Sequence, residues 1–313
     1  MIIKKFDSSI WTGRLDEEDG LGGLRLHQII TEYTAELACS KVLVGFESDE
    51  GVARNKGRVG AKNAPNEIRK ALANLPVHFD HEKTKVSDYG NIVCDDKMLE
   101  MAREKQIEIV SKIIENNQLP IVLGGGHETA LGNFLALAKH APSITIINID
   151  AHFDLRKPNP ISTSGTPFYE MHDYCKSNNM PFQYLVIGLQ ENGNTQALFN
   201  RADEFGTQYI MADEIHANLN QVLDQLKQFI AQNDTIYLSL DMDVFDGAFA
   251  PGVSAPSING LTPFQVKYLI KLLLNSGKVK LFDVVELNPT YDIDQRTAKL
   301  AAQMVNEIIK YLY

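Results

Sequence analysis

Short, almost continuous apolar runs alternate along the chain with longer amphipathic segments, and this alternation constrains the fold more than any other feature. Six runs predict strands: Val42–Phe46, Ile121–Leu123, Thr145–Ile149, Tyr184–Gly188, Thr235–Leu240 and Lys280–Val285. Runs that are apolar throughout are typical of parallel strands covered on both faces. Six intervening segments have helical periodicity: Pro65–Leu75, Met98–Asn117, Thr129–Lys139, Leu219–Gln232, Pro263–Asn275 and Asp294–Leu312. The pattern predicts an α/β fold with a mainly parallel sheet.

The 313 residues contain no internal repeat, low-complexity tract or linker that would divide the chain. We therefore expect one domain spanning residues 1–313, with residues 1–40 as an amino-terminal extension packed on it. Four irregular stretches are long enough to suggest function, because ligands of open parallel sheets bind beyond the carboxyl ends of the strands. They are Phe6–Leu24, Glu47–Lys62, Arg156–Tyr169 and Asp246–Leu261.

Charge and cysteine content exclude several classes of protein. Forty acidic residues outnumber 30 basic ones, which argues against a nucleic-acid binder. Cys39, Cys94 and Cys175 are odd in number and far apart, so they predict reduced thiols rather than a disulfide framework or a zinc site. The first residues lack a signal-peptide pattern, and no run approaches the ~20 apolar residues of a membrane span. We expect a soluble cytoplasmic protein that binds neither nucleic acid nor membrane.

Aspartate and histidine cluster where three predicted strands end. The clusters are Gly124-Gly-Gly-His127-Glu128, Asp150-Ala-His152-Phe-Asp154 and Asp241-Met-Asp243. In an extended chain, residues two apart point to the same side, so the members of the second and third clusters are expected to converge. A lone Asp-x-Asp would suit a turn or cap, and either histidine alone would suit the core, but six such residues together predict a metal centre.

Four carboxylates emerging from buried strands are costly without cations. Two divalent ions would balance Asp150, Asp154, Asp241 and Asp243, with His127 and His152 as neutral ligands. A water shared by ions about 3.5–4 Å apart would lose a proton and become a bridging hydroxide, as in two-metal hydrolases. Carboxylate and imidazole ligands without thiolates favour Mn²⁺ over zinc. A non-catalytic Ca²⁺ or Mg²⁺ site is the alternative, which the two histidines oppose.

Four motifs in this order resemble those of the ureohydrolases, the arginase–agmatinase family of dimanganese hydrolases. They are Gly125-Gly-His127, Asp150-Ala-His152-Phe-Asp154, Ser239-Leu-Asp241-Met-Asp243 continuing to Ala250-Pro-Gly252, and Glu286-Leu-Asn-Pro289. The resemblance covers nearly the whole chain and implies a single three-layer α/β/α domain. It also implies a homo-oligomer, since ureohydrolases often form multimers.

The resemblance further implies roles for individual residues. One Mn²⁺ would be bound by His127, Asp150, Asp154 and Asp241, and a second by Asp150, His152, Asp241 and Asp243. Glu286 matches the carboxylate that holds the amidine or guanidine of the substrate, and a forked cation is a natural partner of a carboxylate.

Finer motifs resemble the formimidoylglutamase subgroup of the family. They include Trp11-Thr-Gly-Arg14, Gly45-Phe-Glu-Ser-Asp49 continuing to Arg58, Gly124-Gly-Gly-His127-Glu128, Ser164-Gly-Thr-Pro-Phe168 and Asn194-Thr195. Arg156 stands where arginases carry a carboxylate-binding asparagine, and a permanent guanidinium suits a substrate with two carboxylates. Asn194 is a second predicted substrate-binding residue. Phe168 stands nearest the place of the catalytic loop histidine of arginases, which this chain lacks.

We therefore expect Mn²⁺-dependent hydrolysis of N-formimino-L-glutamate to L-glutamate and formamide. Glu286 would orient the amidinium, and Asp154 is a candidate for carrying the proton to the departing nitrogen. Two alternatives stay open. One is a ureohydrolase acting on a guanidino substrate and releasing urea, and the other is an inactive metal-binding relative.

Overall fold

A computed structural model describes residues 2–34 and 40–311, and ten strands in that part of the chain form one sheet. The strands are β1 Ile2–Lys4, β2 Thr31–Glu32, β3 Lys41–Glu47, β4 Val86–Val93, β5 Leu119–Leu123, β6 Thr145–Ile149, β7 Gln183–Leu189, β8 Gln208–Met211, β9 Ile236–Asp241 and β10 Val279–Val285. Their order is β1-β4-β3-β5-β10-β9-β6-β7-β8, and β2 also pairs with β4. Every pairing among these strands is parallel except that of β1 with β4.

Helices cover both faces of the sheet. They are α1 Leu26–Ile29, α2 Glu50–Arg54, α3 Ala64–Ala73, α4 Leu99–Glu115, α5 Thr129–Ala138, α6 Pro167–Ser177, α7 Gln196–Phe205, α8 Ala212–Ala231, α9 Pro263–Leu274 and α10 Arg296–Lys310. Helices α3, α8, α9 and α10 contribute to one apolar core, and α4 to α7 contribute to the other. Alternate residues of a strand supply the two cores: Leu43 faces the first, whereas Val42 and Val44 face the second. The predicted α/β/α layering with a mainly parallel sheet is confirmed.

The strand order brings the predicted site residues to one edge of the sheet. Strands β5, β10, β9 and β6 are consecutive neighbours and run parallel. Their carboxyl ends therefore meet at one edge, which is where open α/β sheets bind ligands. The segments that leave these four ends carry His127, Glu286, Asp241 and Asp150.

All six predicted strands are present, and the elements missed lie mainly toward the edges of the sheet. Strand β4 was not predicted, because its buried positions include polar residues, among them Asp88. The Asp88 carboxylate is paired with Arg69 (2.7 Å) and accepts a hydrogen bond from the Trp11 indole (2.9 Å). Helix α6 begins within the predicted irregular stretch Arg156–Tyr169. Helix α8 begins earlier than predicted and has non-helical backbone at Asn218, which interrupts its apolar periodicity.

The amino-terminal segment is built into the sheet through β1 and β2, which both pair with β4. Cys94 and Cys175 are free thiols, and Cys39 lies outside the described residues. No helix in the described part of the chain combines the length and apolar character that crossing a bilayer requires.

Candidate metal centre

The His127 ring meets three carboxylates at the edge of the sheet where β5, β6 and β9 end. Its Nδ1 lies 3.0 Å from an oxygen of Asp241, 3.1 Å from one of Asp154 and 3.3 Å from one of Asp150. Although it is fully buried, this nitrogen makes no hydrogen bond with any described residue. A ring nitrogen surrounded by carboxylate oxygens from three directions has the arrangement of a metal ligand.

A second group of side chains adjoins the first. The His152 Nδ1 lies 3.1 Å from Asp243 Oδ2 and 3.5 Å from Asp150 Oδ1. Asp150 thus directs one oxygen toward each histidine, which is the arrangement of a bridging carboxylate. Asp241 belongs to the first group, and its Oδ1 accepts the backbone N–H of Asp243 at 2.8 Å. The structure therefore brings all six predicted ligands together, with Asp150 common to both groups.

Tight turns produce this convergence, not the extended backbone that the sequence predicted. Strand β6 ends at Ile149, and the Asp150 carboxylate accepts the backbone N–H of His152 at 2.7 Å. Asp154 has a positive φ of 46°, a left-handed conformation that aspartate tolerates better than most residues. Asp243 lies in a 3₁₀ turn spanning Met242–Val244. An Asp-x-His or Asp-x-Asp turn, with the first carboxylate capping the third residue, directs both side chains to the same place.

A chain of buried hydrogen bonds orients His127 from behind. Its Nε2 lies 3.1 Å from the Ser239 hydroxyl, which donates to Asp283 Oδ1 at 2.6 Å. The other oxygen of Asp283 accepts from Asn133 at 2.7 Å and from the Tyr237 hydroxyl. Such partners fix the tautomer and the ring angle of a metal-binding histidine. Neither Ser239 nor Asp283 was predicted to support a ligand, although a charged residue within an otherwise apolar run is a usable signal for Asp283.

The electrostatics of the cluster suit cations. Burial, together with neighbouring Asp243 and Asp150, raises the pKa of Asp241 well above its usual value. Burial alone would lower the pKa of His127, but the surrounding carboxylates raise it well above its usual value. The Asp243 charge does the same for His152 and outweighs the effect of burial. Three buried carboxylates and the partly exposed Asp154 therefore attract positive charge strongly, and Asp243 Oδ1 has no hydrogen-bond partner among the described residues. The residues present fit divalent metal ions.

Glu286 stands beside this cluster at the end of β10. One of its oxygens accepts the backbone N–H of His127 at 2.8 Å, and its own N–H donates to the Gly125 carbonyl at 2.8 Å. Burial, reinforced by the nearby Glu128 carboxylate, raises the pKa of Glu286 to about 8. A cation facing Glu286 would relieve this unfavourable burial of negative charge. The His127 segment thus links the predicted metal site to the predicted substrate carboxylate.

Arg156 and Asn194, the other two predicted substrate-binding residues, occupy different environments. Arg156 is exposed, and the structure records no hydrogen bond from its guanidinium to any described residue. Asn194 is buried, and its amide donates to the carbonyls of Ala151 (2.9 Å) and Gln190 (2.8 Å) and accepts from the Phe153 N–H (3.0 Å). The geometry therefore favours a role for Asn194 in holding the loop that carries His152, rather than direct contact with substrate.

Phe168 occupies a layer behind the cluster. It is fully buried, meets the His127 ring edge-on with centroids 5.2 Å apart, and stacks on Tyr184 at 4.4 Å. Tyr184 in turn donates a hydrogen bond to the Phe153 carbonyl at 2.9 Å. Phe168 thus packs against a predicted metal ligand and takes no part in proton transfer.

Comparison with known proteins yields consistent matches. The model of the arginase family matches residues 40–310. A formimidoylglutamase of Aeromonas salmonicida (strain A449) is 43% identical over 310 residues, covering 96% of this chain and 97% of the relative. The crystal structure of Trypanosoma cruzi formiminoglutamase with Mn²⁺₂ has a TM-score of 0.82 and 26% identity, covering 92% of this chain and 97% of that one. Arginase from Bacillus subtilis has a TM-score of 0.74 and 25% identity, covering 86% and 98%.

Proposed function

The chain belongs to the arginase family, and from that premise we propose that it has formimidoylglutamase activity, the manganese-dependent hydrolysis of N-formimino-L-glutamate to L-glutamate and formamide. The observation that carries this proposal is the 43% identity, over 96% of the chain, with a relative named for that activity. The convergence of two imidazoles and four carboxylates beside a buried glutamate supports the same class of reaction.

We assign two Mn²⁺ ions to the cluster. His127, Asp150, Asp154 and Asp241 would hold one ion, and Asp150, His152 and Asp243 would hold the other. The resemblance to the ureohydrolases adds Asp241 to the second set. The charges support this number, because two divalent ions balance four carboxylates. When bound, the ions lower the pKa of water and stabilise the negative charge that develops during attack on the substrate.

Glu286 holds the formimino group. A protonated formimino group is a planar cation with N–H donors in a fork, and a buried carboxylate binds it through charge-assisted hydrogen bonds. Because the His127 N–H already occupies one oxygen of Glu286, the carboxylate has a fixed orientation. This arrangement presents the formimino carbon to a water-derived nucleophile, so catalysis here comes from positioning.

Asp154 is suited to carrying the proton. Its side chain is 18% exposed, compared with 0% for Asp150, 3% for Asp241 and 8% for Asp243, so it has the best access to substrate among the four acids. Water adds to the formimino carbon, and the bond from that carbon to the glutamate nitrogen then breaks. Asp154 takes the proton released from the added oxygen and delivers it to that nitrogen, leaving formamide and glutamate.

Arg156 selects the substrate. Its guanidinium is exposed and makes no hydrogen bond to any residue within 2–34 or 40–311, so it is available to bind a carboxylate bidentately. N-formimino-L-glutamate has two carboxylates, whereas agmatine has none. Asn194 does not contact the substrate in this proposal. It holds the loop that carries His152, through its hydrogen bonds to the backbone of Ala151 and Phe153.

A product assay on Mn²⁺-loaded protein tests the proposal. One sample receives N-formimino-L-glutamate and is analysed for glutamate and formamide. Parallel samples receive arginine, agmatine or 4-guanidinobutyrate and are analysed for urea. Glutamate and formamide without urea support the proposal. Urea would keep the metal chemistry but overturn the substrate, and no product from metal-loaded protein would favour an inactive relative.

A further inference from the structure

We propose that Glu170 is a positioning residue that sets specificity for a carboxylate-bearing substrate by fixing the loop on which Arg156 rests. This inference rests on the proposed function, because it assumes that Arg156 binds a substrate carboxylate. Glu170 lies on α6, and its carboxylate turns back toward the loop that precedes the helix.

Both oxygens of Glu170 are bonded to hydroxyl groups of that loop. One accepts from Ser162 at 2.5 Å and the other from Thr166 at 2.6 Å. Both hydroxyl-bearing residues are buried, so water does not readily replace the carboxylate. Thr166 Oγ1 also accepts the backbone N–H of Thr163 at 2.9 Å. Glu170 therefore closes a compact ring around residues 162–166, which we call the clasp.

The clasp is connected directly to Arg156. The Arg156 backbone N–H donates to the Gly165 carbonyl at 2.9 Å. Its side chain also lies against Gly165, because a Cβ on that glycine would stand only 2.9 Å from Arg156 Cδ. The position of Gly165 thus determines both where Arg156 begins and the direction its side chain can take. The Arg156 guanidinium makes no hydrogen bond to any described residue, so the clasp is the main element that orients its side chain.

Arg54 and Asn55 also bond to the clasp. The Arg54 guanidinium, paired with Glu50 at 2.9 Å and Glu100 at 2.5 Å, donates to the Ser162 carbonyl at 3.3 Å. Asn55 donates to the Ser164 hydroxyl at 3.3 Å. The bonds from Arg54 and Asn55 are longer than those from Glu170, so we expect Glu170 to be the dominant anchor.

A buried cation lies near the Glu170 carboxylate. Arg103 on α4 is only 9% exposed, and its Nε has no hydrogen-bond partner in the described part of the chain. Burial lowers the pKa of Arg103, and the negative charges of Glu170 and Glu100 oppose that effect. The attraction to Arg103 helps to hold the Glu170 carboxylate in place while it accepts its two hydroxyl donors.

The test compares two ligands that share the formimino group. N-formimino-L-glutamate carries carboxylates, whereas N-butylformamidine carries none. For Glu170→Ala, we expect KM for N-formimino-L-glutamate to rise about five- to twentyfold. This is smaller than the effect of removing the Arg156–carboxylate contact outright, because Arg156 is still present but less well oriented. We expect kcat to stay within twofold and the inhibition constant of N-butylformamidine to stay unchanged. Glu170→Gln, which keeps one acceptor oxygen, should recover part of the loss.

Two further variants keep the inference falsifiable if Glu170→Ala is poorly folded. Gly165→Ala disturbs Arg156 without touching Glu170, and should raise the same KM. Asp173→Asn is the matched control, because Asp173 lies on the same helix with its side chain 58% exposed and should leave both ligands unaffected. In the double variant Arg156→Ala/Glu170→Ala, the rise in KM for N-formimino-L-glutamate should not exceed the rise in Arg156→Ala alone.

Either of two results would overturn the inference: equal weakening of both ligands by Glu170→Ala, which indicates a general structural role, or no change in KM. A wild-type protein that does not hydrolyse N-formimino-L-glutamate would overturn the proposed function as well. That failure is visible before any variant is made, so the two failures are distinguishable.

Discussion

Replacing Ser239 with alanine tests whether the hydrogen bonds behind His127 tune metal binding. Ser239 links His127 Nε2 (3.1 Å) to Asp283 Oδ1 (2.6 Å), and all three side chains are buried. Ser239→Ala leaves the ring N–H of His127 without its partner and removes the donor to Asp283 Oδ1. Asp283 Oδ2 keeps Asn133 and Tyr237 as donors, which hold that carboxylate in place. The change therefore reaches the metal centre through His127.

The expected loss follows from two independent magnitudes. An unpaired buried donor costs about 1–3 kcal/mol. Removal of an outer partner of a metal-binding histidine lowers metal affinity about 10- to 100-fold, which is about 1.4–2.8 kcal/mol. Because Ser239 does not contact His152, only the ion bound by His127 should be weakened. We expect a titration of the variant to separate into one unchanged and one weakened phase.

Electron paramagnetic resonance of free Mn²⁺ during a titration measures both dissociation constants. Ser87→Ala is a matched control, because it removes a buried hydroxyl of the same sheet that has no hydrogen-bond partner among the residues the structure describes. We expect this control to bind Mn²⁺ as the wild type does. If Ser239→Ala is folded and both of its dissociation constants equal those of the wild type, the reasoning is refuted.

Three further predictions follow from other parts of the molecule. Asn194→Ala removes the bonds that hold the loop beside His152, so Mn²⁺ affinity should fall about tenfold with little change in KM; a large KM increase with unchanged metal binding would instead indicate substrate contact. Arg69→Met leaves Asp88 buried without its partner and should lower the free energy of unfolding, measured with urea, by about 3–5 kcal/mol; a loss below about 1 kcal/mol would contradict this. Burial lowers the pKa of Lys41 from 10.5 to about 8, so between those pH values the unfolded chain binds more protons than the folded chain. The free energy of unfolding of the wild type, measured with urea, should therefore rise with pH relative to that of Lys41→Met. A difference between the two proteins that is constant from pH 7 to 9.5 would oppose this.

The central strands were predictable because burial on both faces leaves an uninterrupted apolar signal. Strand β4 was not, because its buried carboxylate Asp88 is compensated by Arg69 and Trp11, which are distant in sequence. A charged residue in a sequence suggests a solvent-exposed loop unless the partner that compensates its burial is known. Helix α6 was hidden for a related reason, since its start falls in a long polar stretch whose loop is stabilised by Glu170.

The residues of the metal centre were predictable from their types and positions, but their geometry was not. Carboxylates and imidazoles after parallel strands must meet at one edge, whatever the local backbone. The turn at Asp150 and the positive φ of Asp154 depend on hydrogen bonds within the loop, which spacing alone does not reveal. The link from Ser239 to Asp283 depends on the pairing of β9 with β10, which sets these residues opposite one another. Asn194 was assigned to substrate because its residue type does not show whether its amide faces backbone or ligand.

Anomalous diffraction at the manganese absorption edge, from crystals grown with Mn²⁺, would locate the bound metal ions. We expect two peaks. One should lie between His127 Nδ1 and Asp154, the other between His152 Nδ1 and Asp243, and Asp150 should contact both. A single peak, or peaks that these side chains do not coordinate, would contradict the two-ion centre on which the proposed hydrolysis depends.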